Sequence, residues 1–288
     1  MRNKFYFNYK EEINFFIDNA IKEDLNNIDH SSQASLSDRV VGKAILEVKE
    51  NCIIAGVKLA EIIFKKYDSK ISFKYLINDG DKINAGTKVF VVEGNALSIL
   101  AMERLVLNCI QRMSGIASLT NRYKKIISKT DCILLDTRKT TPNFRYPEKW
   151  AVLIGGGNNH RMGLHDALMI KDNHIDFGGG INLVLEKTKN YLTGLEKDYD
   201  VIVETRNLKE VEEVLNYNFV TRILLDNMGI DEIKKAINLI ENKKLTEASG
   251  NINESNILPI AKTGVNFISL GCLTHSAKPI DISLKVSN

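Results

Sequence analysis

The sequence predicts an α/β protein whose C-terminal half is a parallel βα barrel. After residue 130 six short apolar runs recur, each ending in a polar residue or a glycine: CILLDTRK (132–139), ALMIKD (167–172), DVIVET (200–205), RILLDN (222–227), LTEASG (245–250) and FISLGC (267–272). Between most of them lie segments of helical period such as INLVLEKTKNYL, NLKEVEEVLNY and GIDEIKKAINLI; strands alternating with helices imply parallel pairing through right-handed crossovers. The strand-end residues Arg138, Lys171, Glu204, Asp226, Ser249 and Gly271 are separated by 33, 33, 22, 23 and 22 residues, the spacing of successive βα units. An open doubly wound sheet competes. No GxGxxG opens the first unit, which favours the barrel, and six or seven strands leave it short of eight.

The N-terminal half mixes helix and strand. Residues 10–25 place Ile13, Phe16, Ile17, Ala20, Ile21 and Leu25 at helical spacing. Residues 41–56 read as extended, 57–67 as amphipathic helix, and 71–77 and 88–94 as strands around the turn NDGDKINAG. A long helical stretch, 95–128, is expected to break near Ser114-Gly115.

Composition narrows the classes. With 288 residues, 44% hydrophobic and 26% charged, the chain is globular, and a net charge of +3 predicts neither nucleic-acid nor membrane binding. No apolar run approaches the ~20 residues that span a bilayer. The N-terminus has acidic residues where a signal peptide needs an apolar stretch. Cys52, Cys109, Cys132 and Cys272 are scattered with no CxxC pair, which leads to an expectation of reduced thiols and a cytoplasmic location.

The chemistry concentrates in 136–175, DTRKTTPNFRYPEKWAVLIGGGNNHRMGLHDALMIKDNHI. Arg138, Lys139, Arg145, Lys149, His160, Arg161, His165, Lys171 and His174 face only four acidic residues there, with Asp176 just beyond, and the triplet Gly155–Gly157 permits close backbone approach. A single cation in such a stretch is a solvated charge. Two at the end of one buried strand, Arg138 and Lys139, need a partner, and guanidinium groups match carboxylates and phosphates. A pocket for a multiply anionic small molecule is expected. His160, His165 and His174 do not have metalloprotease spacing; His160 is expected to hydrogen-bond substrate, His165 to serve structure, and His30 to cap a local turn. Glu204 and Asp226 end successive strands and can be acid/base partners, magnesium ligands or stabilisers of a developing cation. Ser249-Gly250-Asn251 and Gly271-Cys272-Leu273-Thr274 present the loops that bind phosphate late in such barrels.

The 136–175 segment, with KEDLNNIDHSS, MERLVLNCIQRMSGIAS (102–118), VETRNLKEVEEVL, ILLDNM, ASGNI and FISLGCLTHSAKPIDISLKV, resembles quinolinate phosphoribosyltransferase. The resemblance implies an N-terminal α/β sandwich domain (1–115, joined by 275–288) and a C-terminal open, incomplete, about seven-stranded α/β barrel (116–274). It implies transfer of phosphoribosyl to quinolinate with decarboxylation, giving nicotinate mononucleotide, pyrophosphate and carbon dioxide, with Mg²⁺ accompanying phosphoribosyl diphosphate. It also implies a homodimer, or a hexamer built from dimers, in which Arg104 is donated to the neighbouring active site. Arg138, His160 and Arg161 match the quinolinate carboxylate binders, with Lys139 and Thr140 beside them. Lys171, Glu204 and Asp226 match the groups around the diphosphate and ribose, the two carboxylates being the magnesium candidates, directly or through water. Ser249, Gly250, Asn251, Gly271 and His275 match the 5-phosphate site. Lys139, Lys171, Glu204 and Asp226 are the expected catalytic residues. The chain departs from the family at Ile202, where many members carry a glutamate, and at Asn143 and Asn251, where glycine is commoner. Rival readings are a phosphoribosyltransferase-like protein of the same fold, such as the ModD type or one acting on nicotinate, and an RNA- or nucleotide-binding protein using 138–174, whose aromatics Phe144, Tyr146 and Trp150 offer no evident stacking platform.

Overall fold

The computed structural model describes residues 2–287. Helices α1 (Arg2–Asn8), α2 (Lys10–Leu25) and α3 (His30–Ser35) lead into β1 (Val41–Val48) and β2 (Cys52–Ile53). Helix α4 (Val57–Tyr67), strands β3 (Ser72–Tyr75), β4 (Lys82–Ile83) and β5 (Lys88–Asn95), and the 31-residue α5 (Ala96–Ile126) follow. Then come β6 (Ile133–Leu135), α6 (Arg145–Ile154), β7 (Leu168–Ile170), α7 (Asp172–Gly178), α8 (Ile181–Thr193), β8 (Val201–Thr205), α9 (Leu208–Leu215) and β9 (Arg222–Asp226). The chain finishes with α10 (Ile230–Ile240), β10 (Leu245–Ser249), α11 (Ile257–Ala261), β11 (Phe267–Ser269), α12 (Cys272–His275) and β12 (Ile282–Val286). The chain forms two compact units. One holds the residues up to Asn121, Lys139–Gly157 and the segment from Cys272 onward; the other holds Arg122–Arg138 and Asn158–Gly271.

In the first unit, β12, β1, β5 and β3 form an antiparallel sheet in that order. Alternation along β1 buries Ala44, Leu46 and Val48 on one face. The apolar stripe of α4 lies over the sheet, with the Phe64 ring 6.3 Å from Phe73 and 6.4 Å from Phe90. Helix on sheet is the expected sandwich. Helix α5 does not break where a break was expected. The buried Ser114 hydroxyl accepts the Ala55 amide at 3.0 Å, and Gly115 lets the backbone of Lys278–Pro279 come so close that a Cβ would overlap the Lys278 carbonyl oxygen. The glycine serves packing, not termination. A buried ion pair ties this unit further: Arg112 donates from Nε (3.0 Å) and Nη2 (2.9 Å) to Glu148 and from Nη1 to the Ala277 carbonyl (2.7 Å). Glu148 in turn accepts from the Thr141 amide at 3.0 Å, which fixes the loop carrying Lys139 and Thr140.

In the second unit six parallel strands run in the order β6-β11-β10-β9-β8-β7. The first strand pairs with the last, as strands curling toward closure must. A seventh segment joins beside β6 through one parallel bridge, Leu135–Asn158, so the sheet stays open between Asn158 and β7. Strand β8, VIVET, is buried along its whole length, as parallel strands covered on both faces are. Asn207 caps α9 by accepting the Glu210 amide at 3.0 Å. The C-terminal strand ends are thereby held at one end of one sheet.

Candidate active site

The second unit brings most of the expected residues to the ends of neighbouring strands. Strand β8 ends at Glu204-Thr205, β9 at Asp226 and β10 at Ser249, while Arg138 follows β6 and Lys171 follows β7. Lys171 Nζ lies 3.3 Å from Glu204 Oε2. Burial raises the Glu204 carboxyl above the usual carboxylate range; Lys171 pulls it back and Asp226 pushes it up further. Asp226 accepts the Ser249 hydroxyl at 2.8 Å and the Asn227 amide group at 2.7 Å. Asn251 donates to Asn227 at 2.9 Å, so one polar chain joins the ends of β9 and β10. Gly250 (φ +88°) packs against the Asn227 side chain with no room for a Cβ, and Asn251 takes the left-handed region at φ 52°. Asn143 does the same at φ 61°. Asparagine therefore takes the left-handed conformation at both positions where the resemblance leads to an expectation of glycine.

Arg138 and Arg161 form a second focus. The Nε of each is buried and has no hydrogen-bond partner among the described residues, while Arg161 Nη1 donates to the Ala167 carbonyl at 3.1 Å. Burial, then repulsion from Arg138, depresses the Arg161 guanidinium from its ordinary value. Two buried guanidinium donors close enough to repel each other suit an anion. The loop bearing Arg161 hangs on Asp136, the residue ending the run CILLD and two before Arg138. It is fully buried and accepts the His160 amide at 2.8 Å and the Asn159 side chain at 2.6 Å.

Three residues escaped the sequence reading in whole or in part. Asp136 was seen only as an acidic neighbour. Glu247 and Arg222 were not singled out at all. Glu247, fully buried in β10, lies 2.8 Å from Arg222 Nη1 and 3.4 Å from His160 Nε2. Burial alone would raise its carboxyl; His160, Arg222 and Ser269 outweigh that and hold it below the usual range. The signal was a carboxylate in mid-strand, two positions before Ser249 and so on the same face. Ile202 is buried in β8 opposite Arg222 in register.

The first unit carries the remaining expected residues. Arg104 is exposed on α5. The Lys139 carbonyl accepts the Thr274 hydroxyl at 2.8 Å, the Thr140 hydroxyl accepts Arg145 Nε at 3.0 Å, and His275 Nδ1 sits 2.7 Å from the Ser276 hydroxyl. Gly155 of the glycine triplet packs against Ala117 and Thr120 of α5. Trp150 is buried against Phe5 at 5.8 Å, which removes it from any base-stacking role. Asp29, not His30, caps α3, accepting the Ser32 amide at 3.1 Å. His174 Nδ1 accepts the Lys171 amide at 2.9 Å.

Magnesium is implied by the resemblance, and the donors can be judged on their own chemistry. Among the described residues no group of three or more His, Cys, Asp or Glu side chains is placed to hold a metal. Magnesium commonly binds through one or two carboxylates completed by substrate phosphate oxygens and water. The neighbouring Glu204 and Asp226 fit that mode, and do not fit an all-protein cage.

Known proteins bear on these features. A family model described as the quinolinate phosphoribosyl transferase N-terminal domain matches residues 29–114, and the corresponding C-terminal domain model matches 116–285. Tobacco (Nicotiana tabacum) quinolinate phosphoribosyltransferase [decarboxylating] 2b, mitochondrial, is 44% identical over 282 residues, covering 93% of this chain and 80% of its own length. The chloroplastic nicotinate-nucleotide pyrophosphorylase [carboxylating] of Arabidopsis thaliana is 46% identical over 258 residues, covering 85% and 74%. The crystal structure of NadC from Streptococcus pyogenes superposes with a TM-score of 0.88 at 36% identity over 96% of each chain. The cytoplasmic expectation is corrected by these plant relatives, which are organellar by name. Scattered cysteines with no CxxC pair do not single out the cytoplasm. Two domain models in tandem, plant relatives matched over most of the chain and a superposable bacterial structure agree with what the barrel mouth displays: the chain belongs to the quinolinate phosphoribosyltransferase family.

Proposed function

We propose that the strand ends of the barrel transfer the phosphoribosyl group of phosphoribosyl diphosphate to quinolinate and release its 2-carboxylate as carbon dioxide, leaving nicotinate mononucleotide and pyrophosphate. The observation that carries this reading is the pair Arg138 and Arg161, two mutually repelling guanidinium groups with buried Nε donors that no acceptor among the described residues satisfies. A pyridine dicarboxylate supplies two acceptors of the right sign and shape.

Loss of diphosphate from the anomeric carbon develops positive charge on the ribose ring. Glu204 and Asp226, carboxylates fixed at adjacent strand ends, stabilise that charge without reorganising. Lys171, 3.3 Å from Glu204, opposes the burial that raises that carboxyl and supports the departing diphosphate. Glu204 and Asp226 would also hold Mg²⁺, directly or through water, and the ion when bound would neutralise charge on the leaving diphosphate. Ser249, Gly250 and Asn251, with Gly271, hold the 5-phosphate, and Lys139, Thr140 and His275 are assigned to substrate by the resemblance. The arginines hold quinolinate with its nitrogen toward the sugar. Once the nitrogen has attacked, the adjacent carboxylate leaves as carbon dioxide, the positive ring nitrogen stabilises the electron pair left on C2, and a proton from solvent is taken up there to complete the product. No protein nucleophile is needed, so positioning and fixed charge dominate. The working assembly is a homodimer, alone or within a hexamer, with Arg104 serving the neighbouring subunit's site.

Pyrophosphate release measured with quinolinate and with nicotinate as acceptor tests the reading. Turnover with quinolinate alone is expected, and Arg138→Ala should cut kcat/KM by about a hundredfold or more without unfolding the protein. Comparable turnover of nicotinate, or near-normal kcat/KM in the variant, would overturn it.

A further inference from the structure

We infer that Glu247 is a positioning residue for the dicarboxylate site, acting through His160 on the backbone that seats Arg161; the inference rests on the reading of Arg138 and Arg161 as carboxylate binders. The two ring nitrogens of His160 face different groups of the protein. The Arg161 amide donates to Nδ1 at 2.7 Å, which makes Nδ1 an acceptor and leaves the ring proton on Nε2. That nitrogen faces Glu247 Oε1 at 3.4 Å. A ring carrying its proton on Nδ1 would oppose the Arg161 N–H, donor against donor, and push that residue out of place. A carboxylate at Nε2 selects the compatible tautomer.

The carboxylate is itself held from two further sides. Arg222 donates from Nη1 to its Oε2 at 2.8 Å and lies over the Phe267 ring, 4.1 Å from the centroid. Ser269 hydrogen-bonds it as well. Glu247 sits two residues below Ser249 on the same face of β10, one layer beneath the strand ends. The order of support is therefore Arg222 and Ser269 on Glu247, Glu247 on the His160 ring, and His160 on the Arg161 amide. The Arg161 side chain then reaches the Ala167 carbonyl at 3.1 Å, its Nε without a hydrogen-bond partner among the described residues. A fully buried carboxylate that the transfer chemistry does not use thereby fixes where one of the two guanidinium groups stands.

The test combines tautomer spectroscopy with a kinetic split. In ¹⁵N-histidine-labelled protein, with the His160 resonances assigned by their loss in His160→Gln, the wild-type ring should be neutral with its proton on Nε2. This requires no other variant to fold. Glu247→Gln cannot accept from both His160 and Arg222, because one end of the amide is a donor. It should populate the other tautomer and raise the KM for quinolinate about tenfold, with kcat and the KM for phosphoribosyl diphosphate little changed. Glu247→Asp, which keeps the charge, should recover part of the loss. A wild-type ring protonated on Nδ1, or an unaltered quinolinate KM in folded Glu247→Gln, overturns the inference, as does an equal rise in KM for both substrates. Arg161→Ala separates the two levels. If it too leaves the quinolinate KM unchanged, the carboxylate site has been misassigned; if it raises that KM while Glu247→Gln does not, only the role of Glu247 falls.

Discussion

Glu204 illustrates how one side chain trades stability for chemistry. Burial, the largest influence, lifts its folded-state carboxyl above the ordinary range, and the nearby Asp226 adds to the shift against the pull of Lys171. A carboxyl whose pKa is higher folded than unfolded costs nothing below the unfolded value, where both states are protonated. The cost appears as pH rises and is complete above the folded value. Glu204→Gln should therefore raise the melting temperature at pH 8, with the gain fading as pH falls below the ordinary carboxylate range, and should abolish transfer throughout. Melting curves at pH 4 and pH 8 check the first part; a variant less stable than wild type at pH 8 would show that the Lys171 pair outweighs the burial. For the enzyme itself, activity should fail on the acid side at a higher pH than an exposed carboxylate would dictate.

Individual elements show what the sequence made legible and what it left hidden. The helix expected at 10–25 and that at 57–67 coincide with α2 and α4, because their apolar positions repeat at the helical period. The six βα runs became six parallel strands for a similar reason: continuous apolar stretches bounded by polar ends. Glu204, Asp226 and Ser249 were readable because they terminate such stretches. Glu247 and Asp136 were not, since a charge inside or just beyond a buried strand acquires meaning only from partners distant in the chain, His160 and Arg222 for one and the 158–160 loop for the other. Gly115 misled for the same reason. Glycine reads locally as a helix breaker, and the segment that requires it arrives 163 residues later at Lys278. Gly115→Ala should gain about 0.5–1 kcal/mol of helix propensity and lose about 1–3 kcal/mol to overpacking against a backbone carbonyl. The net expected is destabilisation, read as a lower denaturation midpoint. A stabilised variant would show that the Lys278–Pro279 segment yields without cost.

At the scale of the whole molecule, the residues assigned to substrate are divided between the two units of the chain. Arg104 is exposed on α5 in the first unit, while Lys171 stands at the end of β7 in the second. If Arg104 serves the neighbouring subunit, as the resemblance implies, damage at the two positions is separable by assembly. In a heterodimer of an Arg104→Ala chain with a Lys171→Ala chain, one site receives both substitutions and the other receives neither. Random re-pairing of equal amounts makes half the dimers mixed, each with one intact site of two, so about a quarter of wild-type activity should return from two inactive proteins. The measurement is pyrophosphate release after the two variants are mixed, incubated to allow exchange and compared with each alone. Co-expression of the two chains gives the same answer where exchange is slow. Were Arg104 to act within its own chain, every site in every mixture would lack one of the two groups and no activity would return. Recovery therefore distinguishes a shared site from a self-contained one without depending on the rate of either parent.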